Sequence, residues 1–107
     1  MTKYLFLIIW FLGCSNTEVK KPLSIGFWNI ENLFDLIDDP NKRDEEFALN
    51  GRKNVTKEVY DLKINNSAKV LFDLNVDILG LCEVENIKVL EDLNEAYKER
   101  NYKIIHY

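Results

Sequence analysis

Apolar and polar positions along the chain fall into separate patterns, and each pattern predicts an element. Tyr4 to Leu12 is an unbroken apolar run. Leu23 to Ile30 predicts a strand: Ile25, Phe27 and Asn29 share one face, and Gly26, Trp28 and Ile30 share the other. Both faces are largely apolar, so cover is expected on both sides. Glu31 to Val55 is polar and rich in Asn and Asp, with turn signals at Asp39-Pro40-Asn41 and Asn50-Gly51. A connection this long is usually functional or mobile; Phe34, Leu36 and Ile37 are expected to pin its first part. Thr56 to Leu74 predicts a helix, capped by Thr56 or Asn54, with Tyr60, Ile64, Ala68 and Leu71 as its buried stripe. Val76 to Cys82 reads as a central strand, with Cys82 a buried small hydrophobe. Asn86 to Glu99 predicts a second helix, capped by Asn86, with Ile87, Leu90, Leu93 or Asn94, and Tyr97 at its spacing. Tyr102 to Tyr107 starts a third strand. The order is strand, loop, helix, strand, helix, strand, which is an α+β pattern.

The first apolar run changes the domain picture. Lys3 precedes it and Gly13-Cys14 follow. The run is much shorter than the ~20 residues of a spanning helix, and its layout is that of a secretory signal. Phe11-Leu12-Gly13-Cys14 resembles a bacterial lipobox, with Phe11 where Leu is usual. That resemblance implies an exported protein whose Cys14 is lipidated and anchors it to a membrane of the bacterial cell envelope. The chain then divides into a signal peptide (1–13), a lipid-anchored tether (14–22) and a globular part (23–107). Fully extended, the tether reaches at most roughly 30 Å.

Composition adds limits. A length of 107 residues suits one domain, and the net charge of −4 weighs against purely electrostatic binding to nucleic acid or an anionic membrane surface. It leaves a phosphate substrate open, because a bound divalent cation reverses the local field. The basic doublets Lys20-Lys21 and Arg52-Lys53 read as solvated surface. Cys14 and Cys82 make no disulfide framework, and the single histidine, His106, offers no zinc spacing.

The chemistry-bearing candidates sit at strand ends. Asn29 follows Ile25 and Phe27 on one strand face, and Glu83 follows Leu79 and Leu81. A carboxylate at the tip of a buried strand costs free energy unless it is paired, solvated or bound to a metal. If the two strands are neighbours, Asn29 and Glu83 converge as hard-oxygen and amide groups of the kind magnesium accepts.

Two segments carry a family resemblance. Phe27-Trp28-Asn29-Ile30-Glu31-Asn32-Leu33-Phe34-Asp35 resembles the opening motif of the endonuclease/exonuclease/phosphatase superfamily. Asp77-Ile78-Leu79-Gly80-Leu81-Cys82-Glu83-Val84-Glu85-Asn86 resembles its second motif, usually written with Gln where Cys82 stands. The resemblance implies a four-layer α/β/β/α sandwich, of which residues 23–107 are the N-terminal part, and a phosphoester hydrolase. It implies Glu83 as a ligand of magnesium or manganese, with Asn29 in the same metal and phosphate site, and supporting hydrogen bonds from Asn32 and Asn86. Glu85 is either a residue behind the ligands or an acid stabilised by a helix N-terminus, and the latter is favoured. Both helices should pack on the outer face of the first sheet, and the second sheet should cover Trp28 and Ile30. The family's later motifs supply an Asp, an Asn and an Asp-His pair that have no counterpart here, and His106 does not replace them. The expectation is therefore a fragment, a truncated gene product or an interrupted reading frame, inactive alone. Nucleic acid, nucleotide, phospholipid and inositol phosphate all remain open as substrates. Two other readings stand beside this one: a glycoside hydrolase fragment using Glu83 and Glu85, and a non-catalytic surface lipoprotein. Glycosidase pairs usually sit on different strands, about 5–9.5 Å apart.

Overall fold

The computed structural model describes residues 18–107. The signal segment 1–13, Cys14 and the first part of the tether lie outside the described residues. Residues 18–22 carry no regular structure and are exposed.

The elements run β1 (Ile25–Leu33), α1 (Lys57–Leu74), β2 (Ile78–Val84) and α2 (Ile87–Ala96). The predicted order of the first four elements holds, and β1 and β2 are neighbours. They pair in parallel, with Ile25 opposite Ile78 and Asn29 opposite Cys82. Parallel neighbours need a long crossover, which the 34–56 loop and α1 provide. Helix α1 starts where its cap predicts: the Thr56 Oγ1 accepts from the Val59 N–H at 3.3 Å. It ends at Asn75, whose left-handed backbone (φ 42°) returns its N–H to the Leu71 carbonyl. Asn86 caps α2, its Oδ1 accepting from the Val89 N–H at 3.1 Å.

One face of the sheet carries the core. Ile30 and Leu33 of β1 are buried with Ile64, Ala68 and Leu71 of α1 and with Val89, Leu93 and Tyr97. Trp28, Leu79, Leu81 and Tyr102 pack around them. The Trp28–Ile30 face therefore meets the helices, not a second sheet, which corrects the expected assignment. The open face belongs to Ile25 (69% exposed) and Phe27 (72% exposed). The Phe27 ring crosses Gly80 so closely that a Cβ there would stand 2.9 Å from it. Cys82 is half-buried and free.

Other boundaries differ from the sequence pattern. In α2 the buried residues are Val89 and Leu93, continued by Tyr97 at its cap, whereas Ile87 is exposed. The helix stops at Ala96, because Tyr97 leaves the helical region and turns the chain so that Tyr102 stacks on it at 5.9 Å between ring centroids. The expected strand at Tyr102–Tyr107 does not form. The Asn94 side chain takes the backbone groups a ladder would use: the Tyr102 N–H donates to Asn94 Oδ1 at 3.1 Å, and the Tyr102 carbonyl accepts from Asn94 Nδ2 at 3.0 Å. In the loop, Phe34 stacks on Phe47 at 4.3 Å and Leu36 is half-buried, but Ile37 is exposed and pins nothing.

The N-terminal ends of both strands are clamped. Asp77 accepts from the Ser24 N–H at 2.9 Å and the Ser24 hydroxyl at 2.6 Å, and from Arg100 at 2.9 Å. The Ser24 hydrogen bonds, then Arg100, hold its carboxyl well below the usual carboxylate range. This clamp fixes the register that decides what meets at the other end.

Candidate functional site

At the C-terminal ends of β1 and β2 the ladder breaks. After Asn29 opposite Cys82, the next pair is Leu33 opposite Val84. Ile30, Glu31 and Asn32 thus face Glu83 alone, as an irregular three-against-one bulge. Glu31 (φ 61°), Asn32 (φ 57°) and Glu83 (φ 58°) are all left-handed. That backbone costs a non-glycine residue about 1–2 kcal/mol. It persists only where surroundings hold it, and such strain gathers at functional sites.

The surroundings are specific. Asn29 Nδ2 donates to Glu83 Oε1 at 2.8 Å, and the Asn32 N–H donates to Glu83 Oε2 at 3.2 Å. Each carboxylate oxygen is thus met by one donor. Asn29 Oδ1 accepts from the Glu31 N–H at 2.9 Å. The amide orientation follows from its neighbours, since a carboxylate only accepts and a backbone N–H only donates. Both predicted site residues therefore meet as expected, through a direct hydrogen bond on an exposed edge of the sheet. Asn32 supports Glu83 as the sequence suggests, but through its backbone.

Lys63 completes the bulge and was not legible in the sequence. From α1, its Nζ donates to the Asn32 carbonyl at 3.0 Å and to the Glu31 carbonyl. Partial burial lowers its pKa, against the opposing pull of Glu31 and Glu83. Nothing in the spacing of α1 marks Lys63, because its partners lie on a different element.

Glu85 directly precedes Asn86, the α2 cap. Its side chain is only 4% exposed, and it accepts from the Asp35 N–H at 2.9 Å. Burial raises its carboxyl pKa; the Asp35 N–H hydrogen bond opposes that shift, and the neighbouring Asp44 and the charge of Asp35 add to it. Asn86 donates from Nδ2 to Asp35 at 2.9 Å while its Oδ1 caps α2. Glu83 and Glu85 thus serve separate networks, one exposed and one buried, which gives a paired-carboxylate glycosidase site no support.

A further acidic group also escaped the sequence reading. Asp38, Asp44 and Glu45 bring carboxylate oxygens within 4.8 Å of one another, and Asp44 is 2% exposed with Oδ1 unpartnered. The run Asp38-Asp39 to Asp44-Glu45 was the available signal, but it looked like an ordinary polar loop. His106 is exposed in a segment without regular structure.

At Glu83 the arrangement offers a carboxylate held at both oxygens, an amide oxygen with a free lone pair, and open solvent on the outer side. That set suits a hard cation that keeps water ligands. Residues 24–107 match the model of the Endonuclease/Exonuclease/phosphatase family. No curated protein and no solved structure matches the chain.

Proposed function

The chain belongs to the endonuclease/exonuclease/phosphatase family, and on that premise we propose that it holds the metal-binding part of a phosphoester hydrolase site, with Glu83 as ligand. The observation that carries this reading is the grip on Glu83 by Asn29 Nδ2 and the Asn32 N–H. These donors hold both carboxylate oxygens at the bulge. Asn29 orients Glu83 and leaves one Oδ1 lone pair toward the same space. Magnesium, or manganese in its place, neutralises charge on a phosphoryl oxygen during in-line attack by water. The general base and the phosphate ligands lie outside the two motifs present here, so the chain alone should bind metal without rapid turnover. In the whole four-layer domain a second sheet would cover Ile25 and Phe27.

Titration calorimetry tests the metal site. Glu83→Gln should abolish measurable Mg2+ or Mn2+ binding, and Asn29→Ala should weaken it by about 10–100-fold, as loss of a ligand-orienting partner does. Unchanged affinity in Glu83→Gln contradicts the assignment.

We further propose that the protein lies outside the cytoplasm, anchored to the bacterial cell envelope through Cys14. The support is the apolar Tyr4–Leu12 run and the lipobox-like Phe11–Cys14. Mass spectrometry of the membrane fraction should find a lipid-modified Cys14 at the mature N-terminus. An unmodified Cys14 with Met1 retained rules this out. The substrate class is a phosphoester, whether of nucleic acid, nucleotide, phospholipid or inositol phosphate.

A further inference from the structure

We propose that Lys63 is the positioning residue of this site: by gripping the Glu31–Asn32 peptide from behind, it aims the Asn32 amide at Glu83. The inference rests on reading Glu83 as a metal ligand. Its core is the geometry of one peptide unit. The carbonyl of Glu31 and the N–H of Asn32 belong to the same planar, trans group and point in opposite directions. Lys63 Nζ holds the carbonyl end, and Glu83 Oε2 accepts from the N–H end at 3.2 Å. The unit is a rigid bar between an ammonium and a carboxylate. Fixing one end fixes the other, and a cation on the carbonyl polarises the N–H toward the anion.

The bar would not hold this orientation unaided. Glu31 and Asn32 are both left-handed at φ 61° and 57°, a conformation disfavoured for Glu31 and better tolerated by Asn32. A second Lys63 hydrogen bond, to the Asn32 carbonyl at 3.0 Å, braces the following unit. The ammonium has three donors, and two of them are spent on these carbonyls. Without them, nothing on the α1 side opposes rotation of the peptide, which would turn the Glu31 carbonyl toward the Glu83 carboxylate and remove its donor. Lys63 thus ties α1 to the bulge and gives the helix a part in the site.

The sign of the effect separates this role from plain electrostatics. A lysine that acted only as a charge would repel a cation at Glu83, so its removal would tighten metal binding. A positioning lysine predicts the opposite. The experiment uses the full chain in detergent micelles, with Mn2+ as the probe and the Asn32 amide followed by NMR and hydrogen exchange. In Lys63→Met, Mn2+ affinity should fall by about tenfold or more, the scale of losing an outer-sphere support, and the Asn32 amide should lose its protection. Lys63→Arg, which still donates to both carbonyls, should retain both properties. Unchanged or tighter Mn2+ binding in a folded Lys63→Met, with the Asn32 amide still protected, overturns the proposal. If Lys63→Met does not fold, Lys63→Gln decides, being neutral yet still a donor. There, Mn2+ affinity and Asn32 amide protection should be kept together or lost together, and loss of either one alone overturns the proposal. Equal Mn2+ binding by wild type and Glu83→Gln instead overturns the metal reading of Glu83, and the Asn32 amide alone then decides the role of Lys63.

Discussion

Glu83 and Glu85 lie two positions apart, and the local backbone gives them opposite fates. The left-handed turn at Glu83 breaks the strand alternation, leaving Glu83 exposed to solvent and Glu85 buried beside Asp44. Glu85 has a carboxyl pKa raised by burial and then by its acidic neighbours. A carboxyl raised in the folded state favours folding when protonated. Its contribution is complete below the unfolded-state value of about 4.3 and is lost as pH rises through the folded value. Gln carries no charge and can still donate to the unpartnered Asp44 Oδ1. Glu85→Gln should therefore melt at higher temperature than wild type at pH 7, and the difference should vanish below about pH 4. Thermal melts across pH check this. A variant less stable at neutral pH would show that Lys42, 3.9 Å from Glu85 Oε1, makes the ionised form favourable. At this scale the sequence was legible for Asn29 and Glu83, which are polar groups ending apolar strands. It was silent on Lys63 and on the burial of the Glu85 side chain, because their environments are set by residues remote in the chain.

At the scale of elements, starts were more legible than ends. Thr56 and Asn86 start helices through their own side chains, which bond backbone N–H groups three residues on. Such local chemistry is written in the sequence. Ends and faces depend on packing. Tyr97 ends α2 because its ring is buried against the core and Tyr102, and the same burial sets the stripe as Val89, Leu93 and Tyr97. β1 runs on to Leu33 through a bulge because Lys63 and Glu83 hold Glu31 and Asn32 in place. Periodicity cannot show such a bulge, since the residues within it follow neither alternation. The third strand was misread because the YKIIHY pattern is strand-like, whereas Asn94 satisfies the backbone of Tyr102 by another route.

For the molecule as a whole, two ends of one parallel pair divide the work. The Asp77 clamp sets the register at the N-terminal end, and the bulge displays Glu83 at the other. The helices cover the Trp28 face, and Ile25 and Phe27 remain open on the opposite side. Covering that face would add about 25 cal/mol for each Å² removed from water, so a partner layer there stabilises the strands that carry the site. The α+β class was readable from the order of elements; which face lies under the helices was not, because both are apolar. Two acidic places compete for a metal ion, Glu83 at the bulge and the Asp38–Asp44–Glu45 group in the loop. Sub-stoichiometric Mn2+ added to the isotope-labelled protein settles the choice, because amide signals vanish in order of their distance from the ion. The amides of Asn29, Asn32 and Glu83 should vanish first, and Glu83→Gln should abolish that pattern. Loss of the signals of residues 38–45 while those of Asn29, Asn32 and Glu83 remain sharp would place the metal in the loop and contradict the account.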